Sequence, residues 1–409
     1  MKQLIPKLYA RYRYWSNCIL RHCTDEKIIP LQSNDVITNY GISLLRNVTV
    51  LNLSHNKLIT DDAVARLTSV THLNLFNNKL ITNKSVVALS LTRKLILGMT
   101  HNISDSAILK LPRLDKLVLN RDLNITDECL LEMSKTRSLT GLKLIINKNI
   151  KNSTICSHTN LTSLKLGNDT IITDDCVSKL TGLLKLELGT SKICNGTVAL
   201  LTSLTSINLR DNYMITDESL SKLRNLTSID LSHNRVVHGP GLIGLPLKNI
   251  NLNGNYTVLD DVLMQITSLE ILNLRNNLIH RGSVKLLTNL THLDLSNTET
   301  VENDKIYHLT KLATLKLSEN SEITDAGICL LTNLTDLDLS KNWQITYEGI
   351  SLLTNLTTIN LNYNNNITMC DLVYLSQLEI IENDEAFIHD QEIDDLISGF
   401  EEKRLLDGL

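Results

Sequence analysis

With 409 residues, 42% of them hydrophobic, and a formal net charge of −4, the chain has the apolar content of a large core and too little charge for a strong field toward nucleic acid or a membrane. Aromatic residues, at 4%, are scarce, so Leu and Ile must fill whatever core forms. No run of about 18 apolar residues occurs, which speaks against a spanning helix, and the eight cysteines form neither a disulfide framework nor a CxxC metal motif.

In chain order, the first predicted element is a helix within residues 1–25. Leu4, Leu8, Tyr12, Trp15 and Ile19 recur at helical spacing and line one face, as expected of a helix that caps the apolar edge of the neighbouring segment. Lys2, Lys7, Arg11, Arg13, Arg21 and Lys27 against Asp25 and Glu26 make this end basic. It lacks the uninterrupted apolar stretch of a signal peptide, so an intracellular, cytoplasmic chain is expected, with the nucleus left open.

From residue 26 to 383 one phrase recurs. Leu315-Lys316-Leu317 places two apolar residues around a polar one, the signature of a short half-buried strand. Asn320 comes next, then Ile323-Thr324-Asp325, then Ile328, Leu330, Leu331 and Leu334 at roughly helical spacing. The second strand Leu returns about sixteen times between Leu31 and Leu361, at intervals of 21 or 22 residues apart from the 25 between Leu119 and Leu144. A fixed period of this size marks a solenoid. About seven large apolar side chains per repeat contribute on the order of 15 kcal/mol if fully buried. Ordering two dozen residues costs about 1–2 kcal/mol each, so one copy cannot fold and only a stack can. The recurring Asn (Asn56, Asn78, Asn147, Asn255, Asn342) is expected to satisfy turn backbone in two adjacent coils, since an amide both donates and accepts. Thr before Asp (Thr60, Thr126, Thr173, Thr216, Thr324) predicts an N-cap hydroxyl and then a carboxylate that favours the helix dipole.

The LxLxxN phrase (Leu252 to Asn255, Leu339 to Asn342) with ITDxxL at the helix entry (Ile215-Thr216-Asp217, Ile323-Thr324-Asp325) resembles the leucine-rich repeat superfamily, in particular F-box-associated and bacterial-type members. The resemblance covers roughly residues 26–383. It implies an α/β fold, a leucine-rich repeat solenoid curved as a horseshoe, with strand, turn and helix in each repeat and a parallel concave sheet.

The middle residue of each LxL is expected on that open face. Most of the column is short and polar, but between Phe76 and Lys185 it changes. There Phe76, Ile96, Met99, Val118 and Ile145 are predicted to be exposed beside Lys116, Arg121, Lys143, Lys165 and Lys185, together with Ile146 and Lys94. Apolar side chains ringed by positive charge suggest a protein-binding patch. The 25-residue repeat falls in the same stretch, as do Thr100, Asp122, Asp169 and Ser191 in place of the turn Asn.

Further along, Val237-His238-Gly239-Pro240-Gly241 predicts an extended or 3₁₀ connector. Ile381 holds a strand position, after which the pattern fades. Residues 382–409 carry ten acids against Lys403 and Arg404. Ile388, Ile393, Leu396, Ile397 and Phe400 predict an acidic C-terminal capping helix over 384–409.

The histidines are dispersed, and neither a nucleophile elbow nor a phosphate-binding glycine loop occurs. The sequence therefore reads as a non-enzymatic, monomeric scaffold that binds partner proteins on its open sheet. No cofactor, metal, nucleic acid or membrane is expected. The resemblance to F-box-associated repeats implies an alternative, a substrate-recognition subunit of a cullin-type ubiquitin ligase, although residues 1–25 are too few for an F-box. Regulation of an enzyme by enclosure is the other alternative.

Overall fold

The computed structural model describes residues 28–382, apart from 31–32, 34–35, 46, 100–101, 122–123, 137–138, 168–170, 278–281 and 299–300. Both expected capping helices lie outside the described residues, as do the turn positions Asn34, Thr100, Asp122 and Asp169. The chain divides into two compact units, Met1–Leu226 and Thr227–Leu409.

In the first unit the strands are β1 (Ile28–Pro30), β2 (Val50–Asn52), β3 (His72–Asn74), β4 (Lys94–Leu97), β5 (Lys116–Asn120), β6 (Gly141–Ile145), β7 (Ser163–Leu166), β8 (Lys185–Glu187) and β9 (Ser206–Asn208). Each pairs in parallel with the next, and the register aligns equivalent positions of successive repeats: Leu95 with Leu117, Leu117 with Leu142, Leu142 with Leu164. In the second unit β10 (Ser228–Asp230), β11 (Asn249–Asn251), β12 (Ile271–Asn273), β13 (His292–Asp294), β14 (Thr314–Lys316), β15 (Asp336–Asp338), β16 (Thr358–Asn360) and β17 (Ile380–Glu382) pair in the same way. The last strand forms where the repeat pattern is already fading, around Ile381.

Within a strand such as Val50–Asn52 the central Leu is buried while its two neighbours are half-exposed, so the first residue and the middle residue of LxL share the open face. The layer opposite the sheet is thin. Most helices are single turns of four residues, as in Asp61–Val64 or Asp325–Ile328. A helix that stops at Ile328 cannot carry the apolar stripe further, so Leu330, expected to be inward, is exposed while Leu331 and Leu334 are fully buried. The three extra residues of the long repeat go into a helix of ten residues, Asp127–Thr136. The Gly-Pro coil forms a 3₁₀ turn over Pro240–Leu242, as its composition predicts.

Two polar ladders tie repeats to their neighbours. Asn342 Oδ1 accepts from the amides of Gln344 and Ile345 at 3.0 and 3.1 Å. Its Nδ2 donates to the carbonyls of Leu317 and Asn320, 3.2 and 2.9 Å away in the preceding repeat. The amide thus completes turns in two coils, as expected from its chemistry. The second ladder differs from expectation. Thr60, Thr173, Thr216 and Thr324 occupy N-cap positions, but their side chains make no capping bond. Instead the first helical residue of one repeat clamps the Thr of the next. Asp325 accepts from the Thr346 amide and hydroxyl, each at 2.8 Å, and Asp105 does the same for Thr126 at 2.9 and 2.7 Å. Where that residue is Asn, as at Asn195, its Oδ1 accepts from the Thr216 amide at 2.9 Å and its Nδ2 donates to the Thr216 hydroxyl at 2.8 Å. The Thr-Asp pair therefore stabilises stacking, and only Thr82, Thr346 and a few others also cap.

Candidate protein-binding site

The middle column of the sheet has a structural task wherever it holds Asn or Asp. Asn52, Asn74 and Asn208 accept the backbone amide two residues on, at 3.1, 3.0 and 2.9 Å, and this side-chain turn ends the strand. Five successive repeats of the first unit lack that acceptor, holding Ile96, Val118, Lys143, Lys165 and Glu187 instead. With the amide released, the main chain continues in extended form: β4 and β7 reach four residues and β5 and β6 five, against three in the ordinary repeats. The extension stops at β8, whose next neighbour carries Asn208. In the second unit, Lys316 stands alone between Asp294 and Asp338, and its strand keeps three residues. A longer ladder therefore needs adjacent repeats that both omit the turn.

The register gathers the sequence-predicted residues on this enlarged surface, in rows that cross the strands. At the strand starts stand Lys94, Lys116 and Lys185, with Gly141 and Ser163 between the last two. Lys116 and Lys185 are exposed and Lys94 is half-exposed, and none of the three forms an ion pair with a described residue. The methylenes of Lys116 lie across Gly141, about where a Cβ would stand (3.0 Å). His72, at the head of this row, is held below its ordinary pKa by burial and by the ammonium groups of Lys94 and Lys116.

The middle row is more closed than the sequence suggests. Val118, expected to be exposed, is buried, with 9% of its surface accessible. It stands in register between Ile96 and Lys143, on strands about 4.8 Å away. Lys143 and Lys165 are also not free cations, because both reach Glu187, at 3.2 and 2.6 Å. Burial raises the Glu187 pKa, but the two ammonium groups outweigh it and keep the carboxyl below its usual value. This cluster closes that end of the patch.

At the strand ends the surface is apolar. Phe76 packs against Gly98, where an added Cβ would stand 2.7 Å from the ring and within contact of the Asn120 carbonyl, so only glycine admits this packing. The ring meets His55 edge-on at 5.2 Å. Ile145 leans over Gly167 in the same sense. Met99 and Arg121, both exposed, and the half-exposed Ile146 occupy the turn position that the described repeats hold in the left-handed region, at φ of 51°, 53° and 49°. A β-branched residue is disfavoured there. Ile146 is the one β-branched residue at this position among the described repeats, and it places an aliphatic side chain beside Ile145.

Sequence reasoning missed His158. It is fully buried, accepting the Leu139 amide at Nδ1 (3.2 Å) and donating from Nε2 to the Leu130 carbonyl (3.0 Å). Burial holds its pKa below the ordinary value, the Leu130 carbonyl opposing in part. The imidazole ties the long helix of the enlarged repeat, at Leu130, to the segment that leaves it, at Leu139. Its signal was position: His158-Thr159-Asn160-Leu161 sets a histidine where the neighbouring repeats have Leu180 and Leu201.

The leucine-rich repeat profile matches residues 44–67, 66–90, 201–223, 222–245 and 330–353, in register with the strands and turns described above. These stretches are leucine-rich repeats. No curated protein sequence matches this leucine-rich repeat chain significantly. Among solved structures it is similar in fold to a chain of the Toll–Spatzle complex of Drosophila, at 19% identity and a TM-score of 0.50, over 79% of this chain and 49% of that one. An internalin (inlF) of Listeria monocytogenes gives 24% identity and a TM-score of 0.42, over 83% of this chain and 94% of that one. A chain of the yeast Rad7–Elc1 complex gives 19% and 0.47, over 90% and 89%. Among the described residues no helix is long and apolar enough to cross a membrane, and no group of three or more His, Cys, Asp or Glu side chains is placed to hold a metal.

Proposed function

We propose that this leucine-rich repeat chain is a protein-binding scaffold that seats its partner on the open sheet of the first unit, across β4 to β8. The observation that supports this reading is the run of five repeats that give up the strand-ending Asn or Asp and set Met99, Ile145 and Ile146, with Phe76 of the repeat before them, on the same face as the row of Lys94, Lys116 and Lys185. Solvated sheet positions gain nothing from such side chains, whereas exposed apolar groups rimmed by charge serve a partner that removes them from water. The scaffold acts by recognition alone, as an intracellular monomer with no cofactor, and its preformed strands keep the ordering cost of binding low.

The test is affinity capture from a lysate of the source cells, with the full chain beside its Met99→Asp and Lys116→Glu variants. Both positions are exposed, so melting should stay within about 2 °C of the parent. The expected result is a partner retained by the parent and lost or at least tenfold weaker with each variant. A partner captured equally by all three places the binding surface elsewhere.

A further inference from the structure

The patch has two chemically distinct rows, and together they specify a partner. Its cationic row starts the strands and its apolar row ends them, four residues later. At about 3.3 Å per residue the rows stand some 13 Å apart. Along the cationic row, Lys94 and Lys116 are on adjacent strands, about 4.8 Å apart, and Lys185 lies three strands beyond Lys116. We infer that this surface receives an acidic amphipathic helix of a partner protein, lying across the strands with carboxylates over Lys94, Lys116 and Lys185 and an apolar flank on Phe76, Met99 and Ile145. The inference rests on the protein-binding reading above and names the partner's chemistry.

Three arguments favour this occupant. A helix with side chains is about 10–12 Å across, so one helix covers both rows and lays a different flank on each. An extended segment shows a given surface a single row of side chains. The helical repeat of about 5.4 Å is also close to the strand spacing, so acids one turn apart meet Lys94 and Lys116, and an acid about three turns further reaches Lys185. Finally, the charge is one-sided: the three lysines of the row have no carboxylate among the described residues, while Glu187 is already shared by Lys143 and Lys165. Nucleic acid fits less well. A phosphate backbone calls for a continuous basic track, whereas this row is broken by Gly141 and Ser163, and a carboxylate stands at Glu187. Base stacking needs aromatic faces, and the apolar row is mainly aliphatic, with Phe76 spent against Gly98 and His55.

The test measures binding of the full chain to a synthetic 22-residue helical peptide with Glu along one stripe and Leu along the adjacent one. Three comparison probes are the same peptide with Lys for Glu, the same peptide with Ala for Leu, and a 20-nucleotide oligothymidylate. The Glu/Leu peptide is expected to bind, to weaken about tenfold between 0.05 and 0.5 M salt, and to weaken at least tenfold with Lys116→Glu/Lys185→Glu and with Met99→Asp at unchanged melting temperature. Equal binding of the Lys/Leu peptide, equal binding of the Glu/Ala peptide, or tighter binding of the oligonucleotide overturns the inference. Sedimentation of the full chain over a range of concentrations addresses the remaining occupant. Self-association that the same double variant abolishes overturns it in favour of the acidic 384–409 segment of a second copy. If no peptide binds while capture of the cellular partner still depends on Met99 and Lys116, the protein-binding reading stands and the acidic helix falls.

Discussion

The repeats of β4 to β7 and those of β10 to β16 are built from the same phrase, yet they use one position in opposite ways. In the second unit Asp230, Asn251, Asn273, Asp294, Asp338 and Asn360 each fold back on the amide two residues ahead, at 2.9–3.1 Å, and each strand stops after three residues. In the first unit Ile96, Val118, Lys143 and Lys165 leave that amide to the sheet, and the strands run on. A side chain committed to its own backbone has little left to offer a partner. A patch on this face is therefore made by relieving successive positions of their structural task.

The largest effect should come from the part both regions share. Asn255 accepts from Thr257 and Val258 and donates to the carbonyls of Leu231 and Asn234, all at 3.0 Å, so four backbone groups depend on one buried amide. Asn255→Ala is expected to lower stability by about 3 kcal/mol in urea unfolding, because buried groups left without partners cost about 1–3 kcal/mol each and water can reach some of them. A loss below about 1 kcal/mol would mean that apolar stacking alone holds the second unit.

A smaller effect separates the two regions directly. Asp338→Lys removes the acceptor for the Ser340 amide and hydroxyl and is expected to cost about 1 kcal/mol. Lys165→Asn, at the equivalent position of the patch, breaks only a partly exposed pair with Glu187 and should cost under about 0.5 kcal/mol. Paired unfolding curves decide the matter. Equal losses at both positions would sink the idea that the patch was freed from structural duty.

How much of the fold and the patch was readable from residues depends on which interactions are local. The LxL frame was legible because alternation fixes which side chains face the core, and the observed register keeps Leu95, Leu117, Leu142 and Leu164 aligned as the period requires. The turn Asn was legible because an amide both donates and accepts and so can serve two coils at once. The Thr-Asp pair was misread because a local cap and a clamp to the next repeat use the same two residues, and only the stacking distance tells them apart. At the patch, the register sets Lys94, Lys116 and Lys185 in one row that crosses the strands, with Phe76 and Ile145 at the strand ends. Val118 is buried between strands of two other repeats, and the engagement of Lys143 and Lys165 depends on Glu187, forty-four residues from the first of them. His158 was hidden because its two partners, Leu130 and Leu139, offer only backbone.

The smallest expected effect runs the other way, toward greater stability. Ser191 replaces the turn Asn in the last repeat of the patch, and its buried hydroxyl has no hydrogen-bond partner among the described residues. One repeat on, Asn212 shows what is missing: its Oδ1 accepts from Met214 and Ile215, both at 3.0 Å, and its Nδ2 donates to the Gly189 carbonyl at 2.7 Å. Ser191→Asn supplies the same amide in the same turn and should raise stability by about 1 kcal/mol, read as a higher urea midpoint at unchanged slope. It should leave partner capture unaltered, since the position faces inward while Met99 and Lys116 do not. A gain in stability accompanied by loss of the partner would show that the irregular turn is itself part of the binding surface. A loss of stability would show that the coil has closed around the smaller residue and that the ladder cannot be restored there by the side chain alone.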